Sequence, residues 1–213
     1  MSRLLKLLGG VGMLVLLLLI PSVAAHAATI TFNFDTCGTG GGTNMSCGST
    51  ATFTVSGFTI TATAEGLLPT GAPASLYAKN TGGDELGMGM TGDPTGDHEI
   101  SPGFFIQVDV SSIIGHDPLT VIMDSTTSPD AFHIYETNTA NSTSGALEMN
   151  GTNETAFTIS PTDTYLDFTA SGGNVLLSSL SFTTATTPEP SSLVLMGSGI
   201  LGLAGVVRRK LKV

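Results

Sequence analysis

Short runs of alternating apolar and polar residues, separated by clusters of Gly, Pro, Asn or Asp, fill the chain from residue 28 to residue 183. In the first run, Ile30, Phe32 and Phe34 share one parity and polar residues take the other, which is typical of a strand with one buried face. Further strands are predicted at 52–64 with a bulge or tight turn at Gly57, and at 75–79, 104–110, 119–123, 131–136, 155–159, 165–170 and 175–183.

About nine or ten short strands are too many for one open sheet to bury, so they favour two sheets packed face to face. We predict an all-β fold, a single antiparallel β-sandwich of the jelly-roll-like kind, over residues 28–185. The predicted core consists of apolar residues on the inward parity: Phe32, Phe34, Phe53, Val55, Phe58, Ile60, Phe104, Ile106, Val108, Val110, Val121, Phe132, Ile134, Phe157, Leu166, Phe168, Leu180 and Phe182.

The charge of this segment excludes one class of partner. Sixteen Asp and Glu residues against a single Lys, Lys79, give residues 28–187 a formal charge of −15. Nucleic acid would be repelled by such a domain. The absence of Trp and the presence of only Tyr77, Tyr135 and Tyr165 leave few platforms for stacking on sugar rings, with Tyr135 the first residue to mutate in a test of sugar binding.

Two cysteines, Cys37 and Cys47, flank a Gly-rich run that is flexible enough to bring their sulfur atoms together. In an oxidising compartment this spacing predicts a disulfide that stabilises a floppy loop. Two free thiols or half of a metal site are the alternatives, although neither a His nor another Cys lies near enough in sequence to complete such a site.

Residues 1–27 are predicted to be a Sec-type signal peptide. Arg3 and Lys6 precede an apolar stretch at 7–20, and the small residues Ala25 and Ala27 form the pattern that signal peptidase accepts, so cleavage is expected after Ala27. An uncleaved anchor is the alternative, but an apolar stretch this short spans a bilayer poorly.

The other end of the chain has three parts. Pro188-Glu189-Pro190 forbids a helix or a central strand, residues 191–207 are largely apolar, and Arg208, Arg209 and Lys210 begin a basic tail at 208–213. At 1.5 Å per residue the apolar part is roughly 25 Å long, so we expect a short inner-membrane helix with a basic stop in the cytoplasm and the domain on the periplasmic side.

Residues 187–193, the Gly-interrupted apolar helix and Arg208-Arg209-Lys210 together resemble a PEP-CTERM protein-sorting signal, which would occupy 186–213. The resemblance implies export through the Sec translocon, and then recognition of Pro188-Glu189-Pro190 by an exosortase, a membrane-embedded cysteine protease. It also implies delivery to the cell surface or exopolysaccharide matrix of a Gram-negative bacterium. A plain C-terminal anchor would explain the helix and the basic cluster equally well, but not the placement of Pro-Glu-Pro.

The densest acidic cluster, at 80–99, is a candidate calcium site. Carboxylates on turn-rich segments are the ligands that Ca²⁺ prefers, and Asp84 and Glu99 are the candidate ligands. The spacing matches no EF-hand, and solvated turn residues in an acidic protein are the alternative.

No catalytic residues are predicted. His98, His116 and His133 have no nucleophile motif near them, and nothing in the sequence selects a pair of carboxylates for glycoside hydrolysis. We therefore expect a non-enzymatic surface or matrix protein with no cofactor apart from a possible calcium ion. A calcium-dependent or carbohydrate-binding module is the first alternative, and a secreted hydrolase is the second.

Overall fold

A computed structural model describes residues 27–66, 74–83, 85–116, 118–125, 130–142, 145–152, 155–184 and 190–210. These residues form thirteen strands and one helix. The elements are β1 (Thr29–Asn33), β2 (Met45–Gly48), β3 (Thr50–Val55), β4 (Phe58–Glu65), β5 (Ser75–Gly82), β6 (Glu85–Thr91), β7 (Phe105–Asp109), β8 (Leu119–Asp124), β9 (Ala131–Thr137), β10 (Ala146–Thr152), β11 (Ala156–Ile159), β12 (Tyr165–Gly172), β13 (Leu176–Thr183) and α1 (Pro190–Lys210).

The strands form two antiparallel sheets, as predicted. Sheet A has the order β11-β8-β13-β6-β5-β2, with β1 also paired to β13, and sheet B has the order β10-β9-β12-β7-β4-β3. Buried side chains from both sheets belong to a single apolar cluster, so the inward faces of the two sheets share one core.

Strands β6 to β13 pair in nested order along the chain, the first with the last and so on towards the middle. The pairs β6–β13 and β8–β11 lie in sheet A, and the pairs β7–β12 and β9–β10 lie in sheet B. This nesting of strands that alternate between two sheets is the connectivity of a jelly roll. Strands β1 to β5 widen it: β1, β2 and β5 extend sheet A, whereas β3 and β4 extend sheet B beyond β7.

The predicted core is confirmed at most positions. Phe32, Phe34, Phe132 and Phe168 are fully buried, because each occupies the inward parity of its strand. Three predicted core residues are only partly buried and pack against the cluster from its border: Val55, Phe58 and Phe157. The core also contains several buried residues that the prediction missed: Leu76, Met88, Met90, Ile100, Ile113, Val175 and Leu177.

The interruption predicted at Gly57 is a tight turn. Val55 pairs with Phe58, so Ser56 and Gly57 form a two-residue connection between β3 and β4. Both residues have positive φ, 51° at Ser56 and 87° at Gly57. Positive φ at both central positions is typical of the turns that match the twist of paired strands, and it explains why the parity of the apolar residues changes here.

The chain divides into two units, of which residues Ala28–Thr184 are one. Within this unit β1 pairs with β13, and the N–H of Thr184 donates to the carbonyl oxygen of Ala28 at 2.9 Å. The first and last strands of the unit are therefore neighbours in sheet A.

The other unit contains α1, which begins at Pro190 and includes Arg208, Arg209 and Lys210. Within the described part of the chain, no helix has both the length and the apolar character needed to cross a membrane. The membrane helix expected at 191–207 is thus confirmed as a helix and is not confirmed as a membrane span. The signal peptide expected at 1–27 lies outside the described residues except for Ala27, and so does Ala25 of its cleavage site.

Candidate functional site

The C-terminal candidate site consists of the Pro-Glu-Pro element and α1. Pro188 and Glu189 lie outside the described residues, and Pro190 is the first residue of α1, where the missing N–H of a proline costs no helical hydrogen bond. Large apolar side chains along α1 are exposed: Met196, Ile200, Leu201, Leu203, Val206 and Val207. Arg208, Arg209 and Lys210 are the last three residues of the helix.

The predicted disulfide is confirmed. Cys37 and Cys47 are bonded, and the bond ties the Gly-rich loop after β1 to strand β2. Gly38 adopts a φ of 89°, and a side chain there would collide with the backbone of Thr52, so the loop can lie against β3 only because this residue is glycine. The loop is therefore fixed at both its disulfide and its glycine contact.

The acidic cluster at 80–99 spans the β5–β6 hairpin and the loop after β6, and two of its carboxylates, those of Glu85 and Glu99, bind Lys79. Nζ of Lys79 lies 3.0 Å from Oε1 of Glu99 and 3.2 Å from Oε2 of Glu85. Glu99 is only 1% exposed, and Lys79 is also buried. Asp84 lies outside the described residues. The calcium candidate Glu99 therefore has a cation partner within the chain, and no cluster of three His, Cys, Asp or Glu side chains suited to a metal occurs among the described residues.

Burial and ion pairing shift the pKa values of this cluster in a consistent way. Burial raises the pKa of Glu99, and the hydrogen bond and charge of Lys79 offset only part of that effect. Burial alone would lower the pKa of Lys79, but the hydrogen bonds and charges of Glu99 and Glu85 outweigh it and raise that pKa. The buried pair thus depends on both partners being present.

The three candidate histidines each pack against different neighbours. The ring of His98 stacks on Tyr77 at 4.0 Å between centroids, and that of His116 lies 5.1 Å from Phe58. Nδ1 of His133 is 2.9 Å from the hydroxyl oxygen of Tyr135. These contacts are those of packed side chains, and the structure does not bring the three histidines together as one site.

A polar network that the sequence did not reveal lies on the outward face of sheet B. Nε2 of Gln107 donates to Oδ1 of Asp167 at 2.8 Å and also reaches the carbonyl oxygens of Thr139 and Ser142. Oε1 of Gln107 accepts from the N–H of Asn141 at 2.8 Å. One glutamine thereby holds the 139–142 segment over strands β7 and β12.

This covering segment changes the chemistry of Asp167, which is fully buried. Burial raises the pKa of Asp167 to about 6, with the charge of Glu65 adding to the rise and the hydrogen bond from Gln107 opposing it. Oδ2 of Asp167 and Oε1 of Glu65 are buried without a hydrogen-bond partner among the described residues. Burial also raises the pKa of Glu65, so protonated carboxyl groups are favoured on this face.

Beside the network lies a polar pocket with a volume of about 250 Å³, again on the outward face of sheet B. Its lining consists of Thr61, Thr63, Gln107, Asp109, Ala140, Asn141 and Tyr165. In the sequence, the lining residues of β4, β7 and β12 alternate with apolar residues, and this outward parity indicates that they face away from the core. That parity cannot show that residues 139–142 fold over them.

Comparison with known proteins bears on the C-terminal segment. A family model described as the PEP-CTERM protein-sorting motif matches residues 186–210, where the sequence predicted the sorting signal. No curated protein and no solved structure matches the chain significantly. The chain therefore carries the PEP-CTERM protein-sorting motif, and this motif implies export and processing by an exosortase.

Proposed function

We propose that this protein is a non-enzymatic component of the cell surface or of the exopolysaccharide matrix. An exosortase would remove its C-terminal segment and leave the jelly-roll domain outside the membrane. The observation that carries the proposal is the sorting motif at 186–210, which directly follows a compact unit at Ala28–Thr184. A domain with its own core and its own disulfide is suited to remain folded once the tail is removed.

The use of the polar side chains supports a non-enzymatic role. Glu99 and Glu85 bind Lys79, and Asp167 is held by Gln107 beneath the 139–142 segment. The three histidines outside the signal peptide are packed against aromatic rings. These groups have roles in the fold, which is the pattern expected of a domain that acts through its surface.

The acidic surface supports an extracellular location. With a formal charge of −15 over residues 28–187, neighbouring copies repel one another at short range. Such repulsion keeps a protein soluble at the high local concentrations of a surface layer, and it disfavours binding to other polyanions.

The test is the intact mass of the protein recovered from the native host. We expect material outside the cells to begin at Ala28 and to lack Arg208 to Val213, because both ends are processed. The double variant Pro188→Ala/Glu189→Ala should keep the tail and remain with the membrane fraction, whereas Pro102→Ala, at an exposed turn of the domain, should be processed normally. Extracellular wild-type protein that retains residues 208–213, or normal processing of the double variant, would contradict the proposal.

A further inference from the structure

The pocket on sheet B is built from neighbouring strands in register. Thr61 pairs with Asp109 and Thr63 with Gln107 across β4 and β7, and Tyr165 pairs with Asp109 across β7 and β12. These side chains line the pocket from the sheet. Ala140 and Asn141, in the segment held by Gln107, complete the lining.

The lining selects a class of ligand by its chemistry. It contains two threonine hydroxyls, one carboxylate, one phenol ring and two side-chain amides, and Ala140 is the only aliphatic hydrocarbon residue in it. The amide of Gln107 is already bonded within the fold, so the amide of Asn141 is the one that faces a ligand. Lys79, the sole Lys or Arg in residues 28–187, lies on sheet A, so an anionic ligand would meet no positive charge here. A lining of this kind suits an uncharged molecule with many hydroxyl groups, which can donate to Asp109 and stack one face on Tyr165.

The polar groups of the pocket are fixed before any ligand arrives. Gln107 takes part in four hydrogen bonds, so its amide orientation is set. Asn141 has a φ of 56°, a left-handed conformation that non-glycine residues adopt rarely and that the bond from its N–H to Gln107 helps to maintain. Fixed polar groups reduce the entropy lost on binding.

The surface beside the pocket continues its chemistry. Thr52 pairs with Thr61 and Thr54 with Thr59 across β3 and β4, with hydroxyl oxygens 3.3 Å and 3.0 Å apart. Thr50 lies opposite Thr63 in the same hairpin. This threonine ladder gives an outward row of hydroxyl groups that begins at Thr61 and Thr63 inside the pocket and ends at the edge strand β3.

We propose that the pocket binds one sugar ring of a neutral polysaccharide, and that the threonine ladder contacts the next rings of the same chain. A volume of about 250 Å³ lies slightly below the range of pockets for drug-sized ligands, roughly 300 to 1,000 Å³, and is suited to a single ring. The ladder, open to solvent, accommodates the rest. This site is independent of the sorting motif, since either could exist without the other.

The test uses processed protein from the native host and neutral tetrasaccharides of glucose, mannose, galactose and xylose, with the corresponding polysaccharides in affinity gels. We expect binding of at least one of these sugars with a Kd in about the millimolar range or tighter, and weaker binding of its monosaccharide. Tyr165→Ala should weaken binding about tenfold through loss of the stacked ring. Thr54→Ala should weaken only tetrasaccharide binding, because its hydroxyl partner Thr59 lies in the ladder and not in the pocket lining.

Tyr77→Ala serves as the matched control, because Tyr77 is also a half-buried strand tyrosine but lies on sheet A. It should bind the sugar as the wild type does, and a thermal melt shows that each variant is folded. The proposal is overturned if none of the neutral sugars binds, or if Tyr165→Ala and Tyr77→Ala bind equally well. Oligogalacturonate and calcium chloride are tested in the same way. If either of them binds and no neutral sugar does, the proposal is overturned too, because the pocket would then select a charged ligand.

Discussion

Nζ of Lys79 lies 3.0 Å from Oε1 of Glu99, and both side chains are buried between strand β5 and the loop that covers sheet A. Glu85, at 3.2 Å, provides a second carboxylate from the partly exposed side. A buried carboxylate is costly without its counter-charge, so this pair couples the covering loop to the sheet.

Lys79→Met should lower the free energy of unfolding by about 3 kcal/mol, because Glu99 is left buried without its cation. Urea denaturation at pH 7 measures the loss. Adding Glu99→Gln to Lys79→Met should restore most of it, and the loss should shrink at acid pH, where Glu99 is protonated. Glu85→Gln is the control, with an expected cost below about 1 kcal/mol because its carboxylate is partly exposed. Equal costs for Lys79→Met and Glu85→Gln would contradict this account.

Asp167 predicts a pH dependence of stability. Its pKa in the folded protein is about 6, above its ordinary value of 3.8, so folding takes up a proton between these values. The free energy of unfolding should therefore fall as the pH rises from about 4 to about 6, with an upper limit of roughly 3 kcal/mol from this residue. Asp167→Asn should remove that part of the slope and be more stable than the wild type at pH 7.

The control for Asp167→Asn is Asp97→Asn, at an exposed position in the loop after β6. Because other carboxyl groups also titrate in this range, the quantity to compare is the difference between wild type and variant in urea denaturation at pH 4.5 and pH 7. A difference that does not change with pH would contradict the assignment to Asp167.

Gly89 in β6 predicts a steric effect of substitution. A Cβ at this position would collide with the carbonyl oxygen of His98, and backbone cannot move aside as a side-chain tip can. Gly89→Ala should therefore destabilise the protein by about 1 to 3 kcal/mol, measured by thermal or urea unfolding. Gly172→Ala in β12 is the matched control, since its nearest neighbour would be Cβ of Ala131 at an ordinary 3.9 Å. Similar stabilities of the two variants would show that the loop is not packed on Gly89.

The disulfide should contribute modestly to stability. Cys37 and Cys47 are ten residues apart, and closing a loop of this length restricts the unfolded chain by about 2 to 3 kcal/mol. The double variant Cys37→Ser/Cys47→Ser should lose that amount in urea denaturation, and a reductant should reproduce the loss in the wild type. A wild-type protein whose stability does not change on reduction would show that the bond adds nothing to the fold.

Calcium should leave the melting temperature unchanged at millimolar concentration, because the candidate ligand Glu99 already binds Lys79. The measurement is a thermal melt with calcium chloride and with a chelator. A rise in the midpoint with calcium that persists in Glu99→Gln would show that an acidic site exists elsewhere in the chain. A rise that is absent in Glu99→Gln would instead show that Glu99 is a calcium ligand.

Strict alternation made some strands predictable from the sequence. In β1, β7 and β12, large apolar residues such as Phe32, Ile106 and Phe168 occupy every second position and face the core. The turn at Gly57 was equally clear, because the parity of the apolar residues changes there. The two-sheet arrangement followed from the number and length of the strands.

Strand β6 was missed for a physical reason. Its sequence, Glu85-Leu86-Gly87-Met88-Gly89-Met90-Thr91, has the glycine content of a loop. In the structure those glycines allow the backbone of other segments to approach β6 closely. A side chain at Gly87 would collide with the backbone of Leu177, and one at Gly89 would collide with the backbone of His98. Strands β2 and β10 were missed because they lie at sheet edges and bury no regular set of apolar residues.

The pocket depended on contacts that no local pattern encodes. Gln107 and Asp167 lie sixty positions apart, and Asn141 is brought to Gln107 by a loop. Outward parity marks Gln107 and Asp167 as surface positions, whereas the fold makes Asp167 one of the most buried residues. Burial of a carboxylate by a covering segment is a property of the whole topology.

The hydrogen bond between Ala28 and Thr184 limits when the first strand of the domain can pair during export. Strand β1 is the first to emerge after the expected signal peptidase site, yet its partner β13 ends at Thr183. A chain threaded across the membrane from its N-terminus therefore presents β1 unpaired until nearly the whole domain has followed. At the cleavage site expected after Ala27, signal peptidase would therefore meet β1 before its partner strand has crossed. Once β13 arrives, the two strands join, and residue 28 becomes the neighbour of the residue that leads into the tail.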